Sequence, residues 1–116
     1  MAVERTIHEQ RHYERLPFYC RLQLTILPNG PVVSARSFDI SAGGVGITTN
    51  ILLNRGQSVR VRFHLPNGLY KRIREDVVGH VAYSCADEDG NRIGIEFEET
   101  IQESRQPVLA QKLSTL

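Results

Sequence analysis

Several features are scarce in this 116-residue sequence, and each absence narrows the range of possible proteins. It contains no tryptophan and no apolar run approaching the roughly 18 residues of a membrane-spanning helix, so we expect no membrane insertion. Residues 1–15 lack the apolar core of a secretory signal, which predicts a cytoplasmic location. The two cysteines, Cys20 and Cys85, lack metal-ligand spacing, and we predict reduced thiols, with a disulfide as the minor alternative.

Two motifs of common enzyme classes are also missing. No serine lies in a Gly-x-Ser-x-Gly elbow. The stretch GGVG at residues 43–46 precedes a predicted strand, whereas a dinucleotide-binding fingerprint opens a helix. We therefore predict that the protein is not an enzyme and that it holds no metal or other cofactor. His64 stands between arginines on the polar side of a predicted strand, where we expect a solvated side chain.

Alternating apolar and polar residues, which are typical of half-buried β-strands, occupy most of the chain. In residues 58–65, Val59 and Phe63 point to one face and Arg60 and Arg62 to the other. Strands are predicted at residues 20–27, 32–40, 44–49, 58–65, 69–75, 77–84 and 92–99, of which 69–75 and 77–84 form two strands or one strand bent near Asp76. Turn residues separate the strands and no helix intervenes, which predicts a small antiparallel barrel or sandwich.

Residues 100–116 have a different pattern, which predicts a short helix. Thr100 and Glu103 have the spacing of a capping box, and Pro107 suits the first turn of a helix. Three leucines then fall on one helical face, namely Leu109, Leu113 and Leu116. We expect the helix to run from about residue 107 to 115 and to dock through these leucines.

Charge is distributed unevenly along the chain, although the net charge is only +1. Residues 1–74 carry 11 Lys and Arg against 4 Asp and Glu, whereas residues 75–116 carry 3 against 9. This polarity is compatible with an anionic ligand at one end and a protein contact at the other. It is equally compatible with oppositely charged strand faces that meet in space.

Two arginines stand four positions apart in the stretch RHYERLPF, at Arg11 and Arg15. A guanidinium group forms two parallel hydrogen bonds with phosphate and also with the O6/N7 edge of guanine. Both side chains can therefore approach one multiply charged ligand. The simpler interpretation is a pair of surface arginines on an arm.

The second stretch is DISAGGVGI, residues 39–47. The carboxylate of Asp39 can accept hydrogen bonds from the N1–H and N2–H groups of a guanine, and the Ser41 hydroxyl can add a polar contact. Gly43 and Gly44 permit positive φ angles and close backbone approach. The simpler interpretation is a turn in which Asp39 or Ser41 bonds to its own backbone.

Taken together, Arg-x-x-x-Arg followed by Asp-x-Ser-x-x-Gly resembles the PilZ domain family. The stretches RLPF after the second arginine, FDISAGGVGI and NRIGIEFEE extend the resemblance over residues 9–99. The resemblance implies a six-stranded antiparallel β-barrel with a short C-terminal α-helix and a flexible N-terminal arm. We accordingly divide a single domain into an arm at 1–19 that carries the Arg-x-x-x-Arg motif, a β-barrel at 20–99 and a C-terminal helix at 100–116.

The same resemblance implies a receptor or adaptor that binds the bacterial second messenger cyclic di-GMP. Ordering of the arm over the ligand would then switch an unidentified effector protein. The implied ligand-binding residues are Gln10, Arg11, Arg15, Asp39, Ser41, Gly43 and Gly44. Gln10 departs from the pattern, because many members of the family have an arginine there, and this leaves open whether one or two nucleotides bind.

Two other functions are weighed against this one. A PilZ-like module can work through protein contacts that need no nucleotide. A small barrel can also bind single-stranded nucleic acid, and a basic stripe is present at Arg55, Arg60, Arg62, Lys71, Arg72 and Arg74. Such barrels stack bases on aromatic side chains, which are nearly missing from this stretch, so nucleic acid is disfavoured as a partner.

Overall fold

The computed structural model of the protein describes residues 14–68 and 71–114. Its strands are β1 (Leu16–Pro17), β2 (Arg21–Ile26), β3 (Val32–Ser41), β4 (Gly44–Thr49), β5 (Ser58–Asn67), β6 (Lys71–Asp87) and β7 (Gly90–Phe97), and its helix is α1 (Pro107–Leu113). Across these described ranges, no helical segment has the length and apolar character of a membrane span.

The strands form one antiparallel sheet in the order β1-β3-β2-β5-β6-β7-β4. Because β3 also pairs with β4, strands β2 to β7 close into a ring of six. The predicted antiparallel all-β architecture with a short C-terminal helix is confirmed. β1 is an additional strand of two residues, which pairs with β3 beside Asp39.

Alternation of side chains fills the interior of the ring with apolar residues. On β5, Val59, Val61, Phe63 and Leu65 are fully buried, as the period of two predicts. Other strands contribute further fully buried side chains, including Leu22, Leu24, Ile40, Ile47, Val81 and Ile93. This core holds the ring together, so the outward-facing residues of the same strands can form surface sites.

Residues 71–87 form the single long strand β6, with no interruption near Asp76. The Asp76 side chain lies on the outer face and accepts hydrogen bonds from Arg62 of β5 at 2.8 and 3.0 Å, so it supports the pairing. The register against β7 instead shifts between Val81 and Tyr83. The irregularity in this region of the chain therefore lies several residues later than predicted.

The helix α1 is capped differently from the prediction. Its N-cap residue is Gln106, which makes no side-chain capping hydrogen bond, and Thr100 and Glu103 lie outside the helix. The backbone N–H groups of Val108 and Leu109 each donate to the Glu75 carboxylate of β6 at 2.9 Å. A buried carboxylate from the sheet thus satisfies the first turn and complements the helix dipole.

The buried residues of α1 agree with the prediction that the helix docks on the core through its leucines. Leu109 is fully buried, and Leu113 is partly buried against the same core. The helix ends at Leu113, two residues before the predicted end, and Leu116 lies outside the described residues.

The structure also shows the environments of the two cysteines and of His64. Both cysteines are free, as predicted, and burial raises the pKa of the Cys20 thiol, whereas Cys85 is exposed. His64 is not the solvated side chain that we expected. It is partly buried, and its Nε2 atom is buried without a hydrogen-bond partner among the described residues.

Candidate functional site

An ion pair joins the segment before β1 to the ring. Arg15 Nε donates to Asp39 Oδ2 at 3.0 Å, and Nη2 donates to Oδ1 at 2.8 Å, which is a bidentate geometry. The register of β1 explains the contact, because Pro17 lies directly opposite Asp39 on β3. The hydrogen bonds to Asp39 are the main cause of the raised pKa of Arg15. The fold therefore brings together one residue from each of the two motifs.

The orientation of Asp39 depends on an irregularity in β3. Ser37 pairs with Ile47 of β4, but the register then shifts, and Asp39 pairs with Gly46 instead of Val45. Ser37 is buried, so strict alternation would also turn Asp39 inward. The extra residue in the bulge places Asp39 on the outer surface.

Asp39 is held there by a second contact, since its Oδ1 accepts a hydrogen bond from the Gly46 N–H at 3.1 Å. Both members of the ion pair stay accessible, with 46% of the Arg15 side chain and 27% of the Asp39 side chain exposed. A ligand can therefore reach either charge without disturbing the core.

The turn between β3 and β4 contains three more of the candidate residues. The Gly43 N–H donates to Ser41 Oγ at 3.2 Å, and this hydroxyl lies 3.4 Å from the Gly44 carbonyl oxygen, to which it donates. Ser41 is buried, and its hydroxyl is engaged within the turn. This geometry matches the simpler interpretation of the motif, in which the serine bonds to its own turn.

Of the two properties expected of the turn glycines, the structure shows close backbone approach at Gly44 and no positive φ. Positive φ angles occur in the described residues at Gly56, Gly68 and Gly90, and not at Gly43 or Gly44. Close approach is nevertheless required at Gly44, where a Cβ atom would lie 2.6 Å from the carbonyl oxygen of Ile95. Gly44 therefore allows β4 to pack tightly against β7.

A row of small residues extends from Asp39 across three strands. Asp39 pairs with Gly46, Gly46 pairs with Gly94 of β7, and Gly94 pairs with Tyr83 of β6. A Cβ atom at Gly46 would lie 2.5 Å from Asp39 Oδ1, and one at Gly94 would overlap the Tyr83 ring. We call these four residues, Asp39, Gly46, Gly94 and Tyr83, the glycine row. Its two glycines form a floor between a carboxylate and an aromatic ring, and the Phe38 and Tyr83 rings pack against this floor.

The Tyr83 ring reaches this floor because of the second bulge. Val81 pairs with Ile95, so an unbroken register would place Tyr83 opposite the buried Ile93. The shift after Val81 places it opposite Gly94 instead, and the residue is 47% exposed. The Tyr83 hydroxyl also contributes to the raised pKa of Arg15, which agrees with its position on the same surface.

A second guanidinium lies close to the glycine row. The Arg92 guanidinium stacks on the Phe38 ring at 5.0 Å from the ring centroid, and its Nε lies 3.0 Å from Asp87 Oδ2. Phe38 in turn borders Gly46. None of Phe38, Gly46, Tyr83, Arg92 and Gly94 was predicted as a site residue, because their proximity depends on strand register. The cluster of aromatic and glycine residues on neighbouring strands was the only available signal.

Two of the predicted ligand-binding residues, Gln10 and Arg11, lie outside the described residues. The described part of the chain contains no cluster of three or more His, Cys, Asp or Glu side chains suited to a metal ion. His8 and His12 have the spacing of a His-Glu-x-x-His motif, which the prediction of no metal site did not take into account, and they too lie outside the described residues. The absence of a metal in that segment stays a prediction.

Comparison with known protein families matches residues 9–112 to the PilZ domain. The match covers most of the sequence, so the chain belongs to the PilZ domain family. A search of curated protein sequences finds no match.

Solved structures show the same fold. The Bacillus subtilis inhibitor of motility (MotI/DgrA) matches with a TM-score of 0.70 and 19% identity over 90% of this chain and 50% of that chain. The PilZ domain of YcgR from Escherichia coli, solved with c-di-GMP, matches with a TM-score of 0.53 and 17% identity over 90% of this chain and 86% of that chain. The chain thus spans about half the length of the B. subtilis protein.

Proposed function

We propose that the chain is a cyclic di-GMP receptor whose ligand binds at the Arg15–Asp39 pair and over the glycine row. Membership of the PilZ family supports this function, as does the likeness to a PilZ domain solved with c-di-GMP. The observation that carries the proposal is the accessible bidentate pair, which joins the two motifs beside an exposed aromatic ring. We further propose that the receptor acts in the cytoplasm.

The chemistry of the pair suits both ends of a guanine nucleotide. The Arg15 guanidinium fork can bind a phosphate or the O6/N7 edge of guanine, whereas the Asp39 carboxylate can accept from N1–H and N2–H. Without ligand the two groups satisfy each other. Ligand binding therefore replaces one exposed ion pair, which is a weak interaction, with contacts to both charges.

The glycine row provides a stacking surface. Gly46 and Gly94 carry no side chains, so the Phe38 and Tyr83 rings pack against the floor beside Asp39. A base placed on this floor can stack on the Tyr83 ring, and stacking on an aromatic side chain contributes about 1–3 kcal/mol per base. The Arg92 guanidinium, which lies nearby on Phe38, is the second cation available to a phosphate.

The remaining residues of the two motifs take supporting roles. Ser41, Gly43 and Gly44 form the turn that follows Asp39, so we assign them to positioning. Arg11 adds a second guanidinium from the arm, and Gln10 adds a neutral donor.

Binding of the arm explains how the receptor would switch an effector protein. Ordering each arm residue costs about 1–2 kcal/mol, whereas a charge-assisted hydrogen bond contributes about 1.5–3 kcal/mol. Several such contacts are needed to hold the arm, so both arginines must contribute. The arm held over the ligand would then present a contact surface to the effector.

Calorimetric titration with cyclic di-GMP, with GTP as the control nucleotide, tests the proposal. We expect saturable binding of cyclic di-GMP alone, with a stoichiometry that reports one or two nucleotides. Arg15→Ala should weaken binding at least about tenfold, because it removes a charge-assisted contact.

The chain contains a matched control. Arg62 and Asp76 form a bidentate pair with the same distances, 2.8 and 3.0 Å, on another part of the ring. Arg62→Ala should therefore bind cyclic di-GMP like the unaltered protein. Equal loss in Arg15→Ala and Arg62→Ala would reject the site, and absence of binding to the unaltered protein would reject the function in favour of a nucleotide-independent interaction module.

A further inference from the structure

A second surface of the ring is strongly cationic and is separate from the Arg15–Asp39 pair. It is a groove of about 830 Å³ across the outer faces of β2 and β3, bordered by the β5–β6 hairpin. We call it the cationic groove. Its charged members are Arg21, Arg36, Lys71, Arg72 and a single carboxylate from the described residues, Asp89. Arg15 and Asp39 do not line it.

Strand register concentrates the positive charge. Arg36 of β3 pairs with Arg21 of β2, Arg21 pairs with His64 of β5, and His64 pairs with Arg74 of β6. Neighbouring strands lie about 4.8 Å apart, so these side chains form one row across four strands. Like charges directly opposite each other destabilise a sheet. Placing arginine opposite arginine therefore calls for a role outside the stability of the fold.

Two arginines of the groove are not neutralised by an ion pair. Among the described residues, ion pairs form at Arg15, Arg62, Arg92 and Arg105. Arg21 and Arg36 have no carboxylate partner within the described part of the chain. The groove thus contains guanidinium groups whose hydrogen-bonding capacity is available to another molecule.

His64 gives an independent indication that the groove is a binding site. It lines the groove between Arg21 and Arg74, and its buried Nε2 atom has no partner among the described residues. A buried polar atom without a partner is unfavourable. A ligand that hydrogen-bonds to this nitrogen would remove the penalty.

The composition of the groove distinguishes among anionic ligands. Asp89 lies at the groove, and a strand of nucleic acid, which carries a phosphate at every nucleotide, would be repelled there. Tyr19 is the exposed aromatic residue described in the groove, whereas single-stranded nucleic acid needs successive stacking platforms. A polypeptide can place carboxylates on the arginines and a neutral residue beside Asp89. Its backbone can also bond to the polar side chains of Gln23 and Asn50.

We propose that the cationic groove binds an acidic, extended polypeptide segment of a partner protein. This binding does not require cyclic di-GMP, so it stands independently of the proposed nucleotide site. The groove supplies the charge complementarity, and the pattern of cations and one carboxylate supplies the register of the segment.

Fluorescence anisotropy with a labelled peptide of six glutamates tests this proposal without nucleotide. Six residues span about 20 Å when extended, which suits a groove that crosses several strands. We expect binding that weakens with added salt. A peptide of six lysines and an oligodeoxythymidine of six nucleotides serve as the comparison probes.

Two double variants with the same change in charge separate the groove from general attraction. Arg21→Gln with Arg36→Gln should weaken binding of the glutamate peptide about tenfold, since two exposed ionic contacts are removed. Arg55→Gln with Arg60→Gln changes arginines outside the groove and should leave binding within about twofold. Arg72→Gln on the hairpin gives an independent check, with an expected loss of a fewfold.

Three results would overturn the proposal. One is failure of the glutamate peptide to bind the unaltered protein. Another is an equal loss in the two double variants, which would indicate attraction to net charge alone. The third is tighter binding of the oligodeoxythymidine than of the peptide, with loss in the Arg21 and Arg36 variant, which would assign the groove to nucleic acid.

Discussion

The two bidentate ion pairs on the outside of the ring have nearly identical geometry and very different surroundings. Arg15 with Asp39 and Arg62 with Asp76 both span 2.8 and 3.0 Å and are partly exposed. Arg62 and Asp76 lie directly opposite each other in a regular ladder between β5 and β6. Asp39 lies at a bulge, and its partner comes from the segment just before a strand of only two residues.

This difference shows what makes an ion pair a candidate site. A cross-strand pair in a regular ladder supports the sheet. The pair at the bulge includes one end of the glycine row, so its charges lie on the same surface as the exposed Tyr83 ring. Hydrogen-bond distances alone would not have separated the two.

Reversing the charges of each pair gives the largest expected effect. Arg15→Asp combined with Asp39→Arg restores opposite charges but presents each to the wrong part of the nucleotide. We expect cyclic di-GMP affinity to fall by more than about 100-fold, because like charges then meet across the interface. Calorimetry measures the affinity.

The same exchange at Arg62 and Asp76 is the control, and it should leave the affinity unchanged. Circular dichroism melting should show both exchanged proteins folded. Retained binding by the Arg15 and Asp39 exchange would mean that the nucleotide does not use these charges.

Removing the aromatic ring beside the Arg15–Asp39 pair should have an effect of intermediate size on nucleotide affinity. Tyr83→Leu keeps the ring of strands intact and removes the stacking surface of the glycine row, so we expect about a tenfold loss of cyclic di-GMP affinity. Tyr19→Leu removes a more exposed tyrosine from the cationic groove and should have no effect on nucleotide affinity. If the two variants behave alike, the base does not stack on Tyr83.

Neutralising the carboxylate of each pair should have the smallest effect, which is a small loss in the free energy of unfolding. Asp39→Asn keeps an oxygen to accept the Gly46 N–H, and an exposed ion pair contributes little, so unfolding free energy should fall by less than about 1 kcal/mol. Asp76→Asn should shift the urea midpoint no further than Asp39→Asn does. A large loss in Asp39→Asn would instead identify its pair as a structural element of the fold.

Much of the fold could be predicted from local pattern. The period-two alternation in β5 identified the four buried residues, and Pro107 marked the first residue of α1. The prediction of a capping box at Thr100 and Glu103 was wrong, because the helix is capped by a residue distant in the sequence. The Glu75 carboxylate, more than 30 positions earlier in the chain, occupies the first turn.

The candidate site could be predicted only in part. Arg15 and Asp39 were identified because their residue types and spacing match a family motif, and the fold brings them together. Contact between Ser41 and the ligand stays a prediction; in the structure its hydroxyl is buried and hydrogen-bonded within the turn. That local preference was visible in the sequence as the simpler alternative.

The sequence by itself determined the strands, the buried faces of the regular ones and the residues that carry charge. Only the tertiary structure decided which of those residues face the same surface. Strict alternation would have turned Asp39 and Tyr83 into the core, and two bulges turned them outward, opposite Gly46 and Gly94. A one-residue shift reverses the facing of every side chain that follows it in a strand, and the shift is set by pairing with other strands.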